Sequence, residues 1–269
     1  MRRRRFEVNA WMIFEIGKSW VEADADTAEA IDFLDFYGLE MLRYAAPQPI
    51  TPVPGEKNAL TYIPLGVGLS IPPWNFPMAI LCGMTSAAWI AGNAVVLKPA
   101  SITPMMGWLY MEIVREAGLP DGVVNFLSGP GGQVGNTLVQ HPRTRFICFT
   151  GSKEVGLEIN KEAATHRPGQ IWIKRVVAEM GGKDSIIVDR ETDLDKAVET
   201  AVAARTMNAG QSCIAAKRFI VQESVAAAFA EQFADRGKRN FQGLGVSTGG
   251  GRENAADRAH AADPFGTAA

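Results

Sequence analysis

Short apolar runs of strand length alternate with helical patterns along most of this chain, and nearly every run ends at glycine, proline or a small polar residue. Ala94-Val95-Val96-Leu97, Val123-Val124-Asn125-Phe126-Leu127, Phe146-Ile147-Cys148-Phe149 and Ser185–Val188 are such runs, each followed by a segment of helical spacing. Strand, small-residue turn and helix in repeated succession define an open α/β sheet, where ligands gather beyond the carboxyl ends of the strands. That constraint decides where chemistry should be sought.

Bulk properties exclude several classes. The 269 residues suffice for one large domain or two ordinary ones, and 47% hydrophobic with 21% charged residues suits a soluble globular chain. A net charge of -2 gives no reason to expect nucleic acid or an acidic membrane. Three cysteines (Cys82, Cys148, Cys213) and three histidines (His141, His166, His260) lack the spacing of a disulfide framework or a metal cluster. A reducing, cytoplasmic setting is expected. The opening Met1-Arg2-Arg3-Arg4-Arg5 is followed by no signal-peptide apolar core, and no apolar run is long enough to span a bilayer.

In chain order, Phe6 to Leu42 predicts two amphipathic helices parted near Gly17, the second opened by Asp24–Thr27. Pro47 to Pro54 is a proline-rich crossover, spaced like an SH3 ligand but more ordinary as a rigid loop. Leu60 to Leu69 reads as strand, Gly66, strand. Ile71-Pro72-Pro73-Trp74-Asn75-Phe76-Pro77 is then a fixed turn into a helix from Met78 to Ala91, because proline cannot donate ladder bonds. The Asn75 amide can donate two hydrogen bonds; on local pattern alone it is an ordinary turn asparagine. Ala94–Leu97 ends in Lys98-Pro99-Ala100-Ser101, where a lysine reaches ribose hydroxyls or phosphates, or simply sits solvated at a strand end. A helix follows from Thr103 to Ala117.

Two glycine turns come next. Val123–Leu127 runs into Gly129-Pro130-Gly131-Gly132-Gln133-Val134-Gly135 and a helix from Asn136, with Gly135 one place late for the G-x-G-x-x-G fingerprint. Gly131 and Gly135 allow backbone to approach a dinucleotide, and a helix N-terminus favours its negative charge. Phe146–Phe149 ends in Thr150-Gly151-Ser152 and a helix from Lys153, without the ending of a triphosphate-binding P-loop. Two ordinary strand–helix turns would look the same.

The chemistry-bearing residues are Glu179, delivered by a strand from Ile171 to Ala178 into Met180-Gly181-Gly182-Lys183, and Cys213 in Gln211-Ser212-Cys213. Glycines beyond Glu179 leave room for a substrate, although a capping or solvated carboxylate is the plainer alternative. Cys82 and Cys148 fall inside a helix and a strand and read as small buried hydrophobes. Cys213 lies just past a helix (Asp193 to Ala209) and the Asn208-Ala209-Gly210 break, where glycine adopts the left-handed cap and a thiol can face a cleft. Arg218 to Val221 is a strand and Ser224 to Phe233 a helix. From Arg236 the composition turns small and polar, reading as a disordered or non-native tail.

Together these motifs resemble the aldehyde dehydrogenase superfamily. Pro73-Trp74-Asn75-Phe76, Lys98-Pro99-Ala100-Ser101, Phe149-Thr150-Gly151-Ser152, Glu179-Met180-Gly181-Gly182-Lys183 and Gly210-Gln211-Ser212-Cys213 carry the resemblance in order and spacing, over about Arg2 to Phe233. It implies a Rossmann-type cofactor domain over residues 1–178, part of the α/β catalytic domain over 179–234, and a tail over 235–269. It also implies roles. Cys213 would attack an aldehyde, Asn75 and the Cys213 backbone N–H would hold the oxyanion, and Glu179 would activate the hydrolytic water. Pro73, Trp74, Lys98, Ser101, Gly131, Gly135, Phe149, Gly151 and Ser152 would line the cofactor site, with NAD the expected cofactor and NADP an alternative. No metal is implied.

Within the superfamily, Trp11 to Val188 most resembles the 1-pyrroline-5-carboxylate dehydrogenase branch, which oxidises glutamate γ-semialdehyde to glutamate. Glu22–Phe33, Lys98-Pro99-Ala100-Ser101, Arg167-Pro168-Gly169-Gln170 and the Lys174-Arg175 pair are the cues. Around the thiol the resemblance shifts: Ile214 stands where that branch has serine, and Asn208–Phe219 is similar to succinate-semialdehyde dehydrogenases. Ser101 stands where many relatives carry a ribose-binding glutamate. The resemblance further implies a homo-oligomer in relatives, while the assembly strands, the downstream Glu-x-Phe-Gly-Pro motif and the N-terminal third of the cofactor domain have no counterpart here. A frameshift after about Ala234, or joining to unrelated sequence, is expected to account for the tail; a confirmed unshifted stop after Ala269 on resequencing would refute it.

Overall fold

The computed structural model describes residues 1–243, in two compact units, one spanning Met1–Glu179 and a second beginning at Met180. The first unit opens with helices α1 (Arg5–Ile16) and α2 (Trp20–Ala45). They are parted at Gly17, whose φ of 69° is the left-handed cap conformation open to glycine. The second helix begins earlier than Asp24–Thr27. Ser19-Trp20-Val21-Glu22 forms a capping box, in which the Ser19 hydroxyl accepts the Glu22 N–H at 3.2 Å and donates to the Glu22 carboxylate at 2.9 Å. A reciprocal cap outranks the acidic cluster, and Asp26 and Thr27 become buried helix interior.

The five-stranded sheet comprises β1 (Val67–Ile71), β2 (Ala94–Leu97), β3 (Val124–Phe126), β4 (Thr144–Thr150) and β5 (Arg175–Glu179), all parallel, in the order β3-β2-β1-β4-β5. Residues 60–66, expected as a first half-strand, are not strand. Leu60, Tyr62 and Ile63 stay exposed there, and among the described residues no strand pairs with the run, whose backbone is left to water. Residues 171–174 are likewise not strand: Ile171 and Ile173 are exposed, and pairing begins only where Arg175 meets Phe146.

Crossovers are made by α3 (Ala79–Ile90), α4 (Pro104–Glu116), α5 (Asn136–Gln140) and α6 (Lys153–Ala164). Pro104 occupies the first turn of α4, where its missing N–H is harmless. The Glu15 carboxylate of α1 accepts the Met105 and Met106 amides at 2.8 and 3.3 Å, supplying a cap that Thr103 does not. The core gathers Val8 and Met12 of α1, Leu81 and Cys82 of α3, and Leu97 and Tyr110.

In the second unit β6 (Ser185–Val188) pairs in parallel with β7 (Arg218–Val221). Helices α7 (Leu194–Thr206) and α8 (Glu223–Gly243) accompany them, with Val198, Ala201, Val202 and Phe229 forming the core. Phe219, Phe229 and Phe233 bring their rings within 4.9–5.8 Å of one another. Helix α7 ends at Thr206 rather than Ala209, and α8 continues past Phe233, so residues 235–243, assigned to the tail from composition, are helical. The rest of that tail lies outside the described residues.

Candidate active site

Parallel pairing sends every strand of the first unit toward the same edge, and the candidate residues follow from that. Beyond β1 comes the Pro72–Met78 turn with Asn75, beyond β2 Lys98, beyond β3 the glycine loop, beyond β4 Gly151 and Ser152; Glu179 ends β5. β1 has β2 on one side and β4 on the other, so the chain reverses direction of growth between β1 and β4. Such a reversal is the topological switch point at which open α/β sheets hold ligands. Asn75 and Gly151 leave the two strands that flank it.

Each residue has a definite setting. Pro72, Pro73 and Pro77 are buried, while Trp74, Asn75 and Phe76 are half-buried. Lys98 is 3% exposed; its backbone N–H donates to the Ser70 carbonyl at 2.9 Å, continuing the ladder, and its ammonium donates to the Pro99 carbonyl at 3.1 Å. No carboxylate among the described residues pairs with it, and burial pushes its pKa below the usual lysine value. Ser101 is exposed and its hydroxyl donates to the Gly129 carbonyl at 3.3 Å, joining the ends of β2 and β3. Gly129 itself has φ 148°, and a Cβ there would meet Val134 at 2.6 Å. At Gly131 and Gly135 a Cβ would meet nothing within 4 Å, so open space adjoins that backbone. The helix after this loop, α5, has only five residues and is preceded by a wide π-type turn over Gly131–Gly135.

Phe149, expected to line the cofactor channel, borders the same cavity as Thr150 and Glu179. It is 5% exposed, and a Cβ on Gly151 would lie 2.6 Å from its ring, so the ring lies against Gly151. Ser152 caps α6, accepting the Val155 N–H at 3.3 Å. The Gly151 N–H donates to the Glu179 carbonyl at 3.0 Å, bringing these two positions together. Glu179 is exposed and pairs across the sheet with Thr150, as Val177 does with Cys148. These four border an open cavity of about 340 Å³ also lined by Tyr37 of α2 and Met84 of α3.

Cys213 belongs to the second unit, and its setting is described there. Asn208, Ala209 and Gly210 have φ of 53°, 55° and 77°, three left-handed residues of which two carry a side chain. Each such non-glycine residue stores of order 1–2 kcal/mol. Arg205 Nη1 donates to the Gly210 carbonyl at 3.3 Å. Cys213 is half-buried, and its carbonyl accepts the Gly182 N–H at 3.2 Å. A Cβ on Gly182 would lie 3.0 Å from that oxygen and 2.7 Å from an Asp184 carboxylate oxygen. Gly182 therefore makes room for the Cys213 backbone, a tighter requirement than space for a substrate. Lys217 Nζ donates to the Gly182 carbonyl at 3.0 Å, holding the same strand end.

Sequence reasoning missed Glu15, Gly182's contact, Arg205 and the buried pair Lys18–Asp26. One signal for the last was present: Asp26 falls among Ala23, Thr27, Ala30 and Ile31, on the apolar stripe of α2.

Comparisons with known proteins agree with this arrangement. The aldehyde dehydrogenase family model matches residues 1–247, and the chain belongs to that family. The match runs past Phe233, which corrects the earlier limit of resemblance. A curated 1-pyrroline-5-carboxylate dehydrogenase of Geobacillus thermodenitrificans is 55% identical over 225 residues, covering 84% of this chain and 44% of the relative. The crystal structure of a Thermus 1-pyrroline-5-carboxylate dehydrogenase with bound NAD superposes with a TM-score of 0.86 at 48% identity, covering 88% of this chain and 46% of the other. Proline utilization A from Bdellovibrio bacteriovorus gives 0.84 at 45% identity, covering 86% and 24%. The chain thus spans a little under half the length of the curated relative. No helix among the described residues is long and apolar enough to cross a membrane.

Proposed function

We propose that this chain carries the cofactor-side and thiol-bearing parts of an NAD-dependent dehydrogenase that oxidises glutamate γ-semialdehyde to glutamate. The observation that carries the reading is the common edge of the parallel sheet, to which Asn75, Lys98, Gly151 and Glu179 are all delivered around the β1/β4 switch point. A dinucleotide suits the residues present. Lys98 offers a buried ammonium that donates to a backbone carbonyl and, among the described residues, pairs with no carboxylate, and Gly131 and Gly135 leave open space over backbone. The bound NAD would supply the two-electron acceptor for aldehyde oxidation. Lys98 would hold ribose hydroxyls, while Pro73, Trp74, Ser101 and the Gly151–Ser152 turn shape the approach. NADP is the alternative, since Ser101 brings no carboxylate to repel a 2′-phosphate.

On this reading the Cys213 thiolate attacks the aldehyde carbon, and the oxygen that gains charge is held by the Asn75 amide and the Cys213 N–H. One such donor is commonly worth about 3 kcal/mol in the transition state. After oxidation the acyl group remains on sulfur as a thioester, and Glu179 takes the proton of the attacking water. The strained Asn208–Gly210 turn and the Gly182 contact fix the Cys213 backbone beforehand, which is the preorganisation such a donor needs. The substrate class is supported by the names of the relatives; succinate semialdehyde is the competing substrate, because exposed Ile214 stands where a serine hydroxyl would help hold the carboxylate of glutamate γ-semialdehyde, and the segment around Cys213 is similar to succinate-semialdehyde dehydrogenases.

The test mixes the purified chain with NAD or NADP and each semialdehyde and follows reduced cofactor, with Cys213→Ala as control. Turnover with glutamate γ-semialdehyde that vanishes in the control supports the proposal. Preference for succinate semialdehyde would replace the substrate. Cofactor binding without turnover would reduce the chain to a nucleotide-binding portion of a longer enzyme.

A further inference from the structure

We propose that the buried ion pair Lys18–Asp26 is a positioning device for the Asn75 turn, an inference that rests on the oxyanion role proposed for Asn75. The two side chains are 1% and 0% exposed, so neither charge is solvated. A buried pair of this kind is a poor source of stability, since apolar residues of similar size do as well or better. Its contacts point to a positioning role instead.

Asp26 has one carboxylate oxygen on the Lys18 ammonium and the other on the Ala79 N–H at 2.6 Å, with the Met78 backbone as a further donor. Ala79 opens α3, and Met78, its capping residue, provides no side-chain cap. Asp26 therefore caps α3 from a different helix, placing negative charge where the first amides of α3 need an acceptor. On its other side the Lys18 ammonium stands 4.2 Å from the centre of the Phe76 ring. The residue following Asn75 is thus held through its ring, and Met78–Ala79 through their amides. Ahead of Asn75, Pro72 and Pro73 are buried with φ fixed by their rings. The Ile80 N–H to Phe76 carbonyl bond at 3.3 Å closes the first turn of α3 onto the same segment. Lys18 and Asp26 touch no reacting group; they act through the Asn75 backbone.

Two apolar-or-neutral replacements separate this role from mere stability. Lys18→Met/Asp26→Asn removes both charges but keeps an oxygen for the Ala79 amide. Lys18→Met/Asp26→Leu removes the acceptor as well. Both avoid stranding a lone buried charge. Hydrogen exchange is measured at the amides of residues 74–80, alongside kcat, KM for the cofactor, and the same substitutions in an Asn75→Ala background. The leucine variant is expected to speed exchange at Ala79 about tenfold or more while global protection stays near that of the asparagine variant. Its kcat should fall about tenfold with cofactor KM unchanged, the asparagine variant, which loses the Lys18 hold on Phe76 but keeps the acceptor for Ala79, should lose clearly less, about threefold, and neither should lose more once Asn75 is alanine. Equal exchange in the two variants, or an undiminished loss in the Asn75→Ala background, overturns the proposal. Should the parent chain turn over no aldehyde, the enzymatic reading fails by itself, and the exchange comparison still decides whether the pair holds the turn.

Discussion

At the scale of single residues, two groups whose type is ordinary have their importance set by surroundings. Lys98 has a pKa lowered by burial, so between that value and the ordinary lysine value near 10.4 the unfolded chain binds more protons than the folded one. Stability from this group therefore rises with pH across that window, and the burial penalty is fully present below it. Cofactor affinity should run the opposite way, because only the ammonium donates to ribose. Titration calorimetry with NAD from about pH 7 to about pH 10 should show affinity falling earlier than a solvated lysine would allow, and Lys98→Met should flatten the profile. Gly182→Ala is the second residue-scale prediction. Its Cβ would press on the Cys213 carbonyl and the Asp184 carboxylate, and a shift of the thiol by even about 1 Å should lower turnover about 100-fold with modest change in melting temperature. A drop of less than about threefold would show that Asp184 alone yields. Both residues lay within motifs that the sequence displayed, yet neither the burial of Lys98 nor the backbone approach at Gly182 could be read there. Each depends on a partner distant along the chain.

At the scale of elements, the runs that were short, apolar and bounded by turn residues were read to within a residue or two: β2, β6 and β7 begin and end where expected. Errors fell where an element's limit was set by a cap or a partner strand. Ser19 and Glu22 open α2 four residues early through reciprocal bonds, and residues 60–66 have apolar strand composition but no pairing strand among the described residues. β1 shows what pairing imposes. Gly68 lies opposite Phe146 of β4, whose ring lies over it so closely that a Cβ would stand 2.1 Å from Cζ. Gly68→Ala should destabilise the first unit by about 1–3 kcal/mol in chemical denaturation, and Phe146→Leu in the same chain should recover most of the loss by making room. If the double variant is no better than the single, the strain lies in the backbone of β1 rather than against the ring.

For the molecule as a whole, β5 is an edge of the five-stranded sheet, with Val177 59% exposed and Ile171 and Ile173 exposed just before it. An exposed apolar edge invites pairing with another chain. Light scattering of the purified protein should show concentration-dependent association, and Val177→Lys should reduce it while leaving the melting temperature within a few degrees, since an exposed charge breaks edge pairing without emptying the core. Undiminished association would point to another face, such as the exposed Phe6 and Trp20 that stack on α1 and α2. The sequence by itself determined the α/β class, the succession of strands and helices, and the residue types able to do thiol chemistry, because periodicity and turn chemistry are local properties of a chain. It also put Asn75, Lys98, Gly151 and Glu179 each at a strand end. Only the tertiary structure decided that those ends form one edge with a switch point between β1 and β4, that Lys98 is buried with no carboxylate beside it among the described residues, and that Lys18 and Asp26 meet under the Asn75 turn. Strand order and burial arise from contacts between residues far apart in sequence, and no local pattern encodes which distant partner a strand or a charge will find.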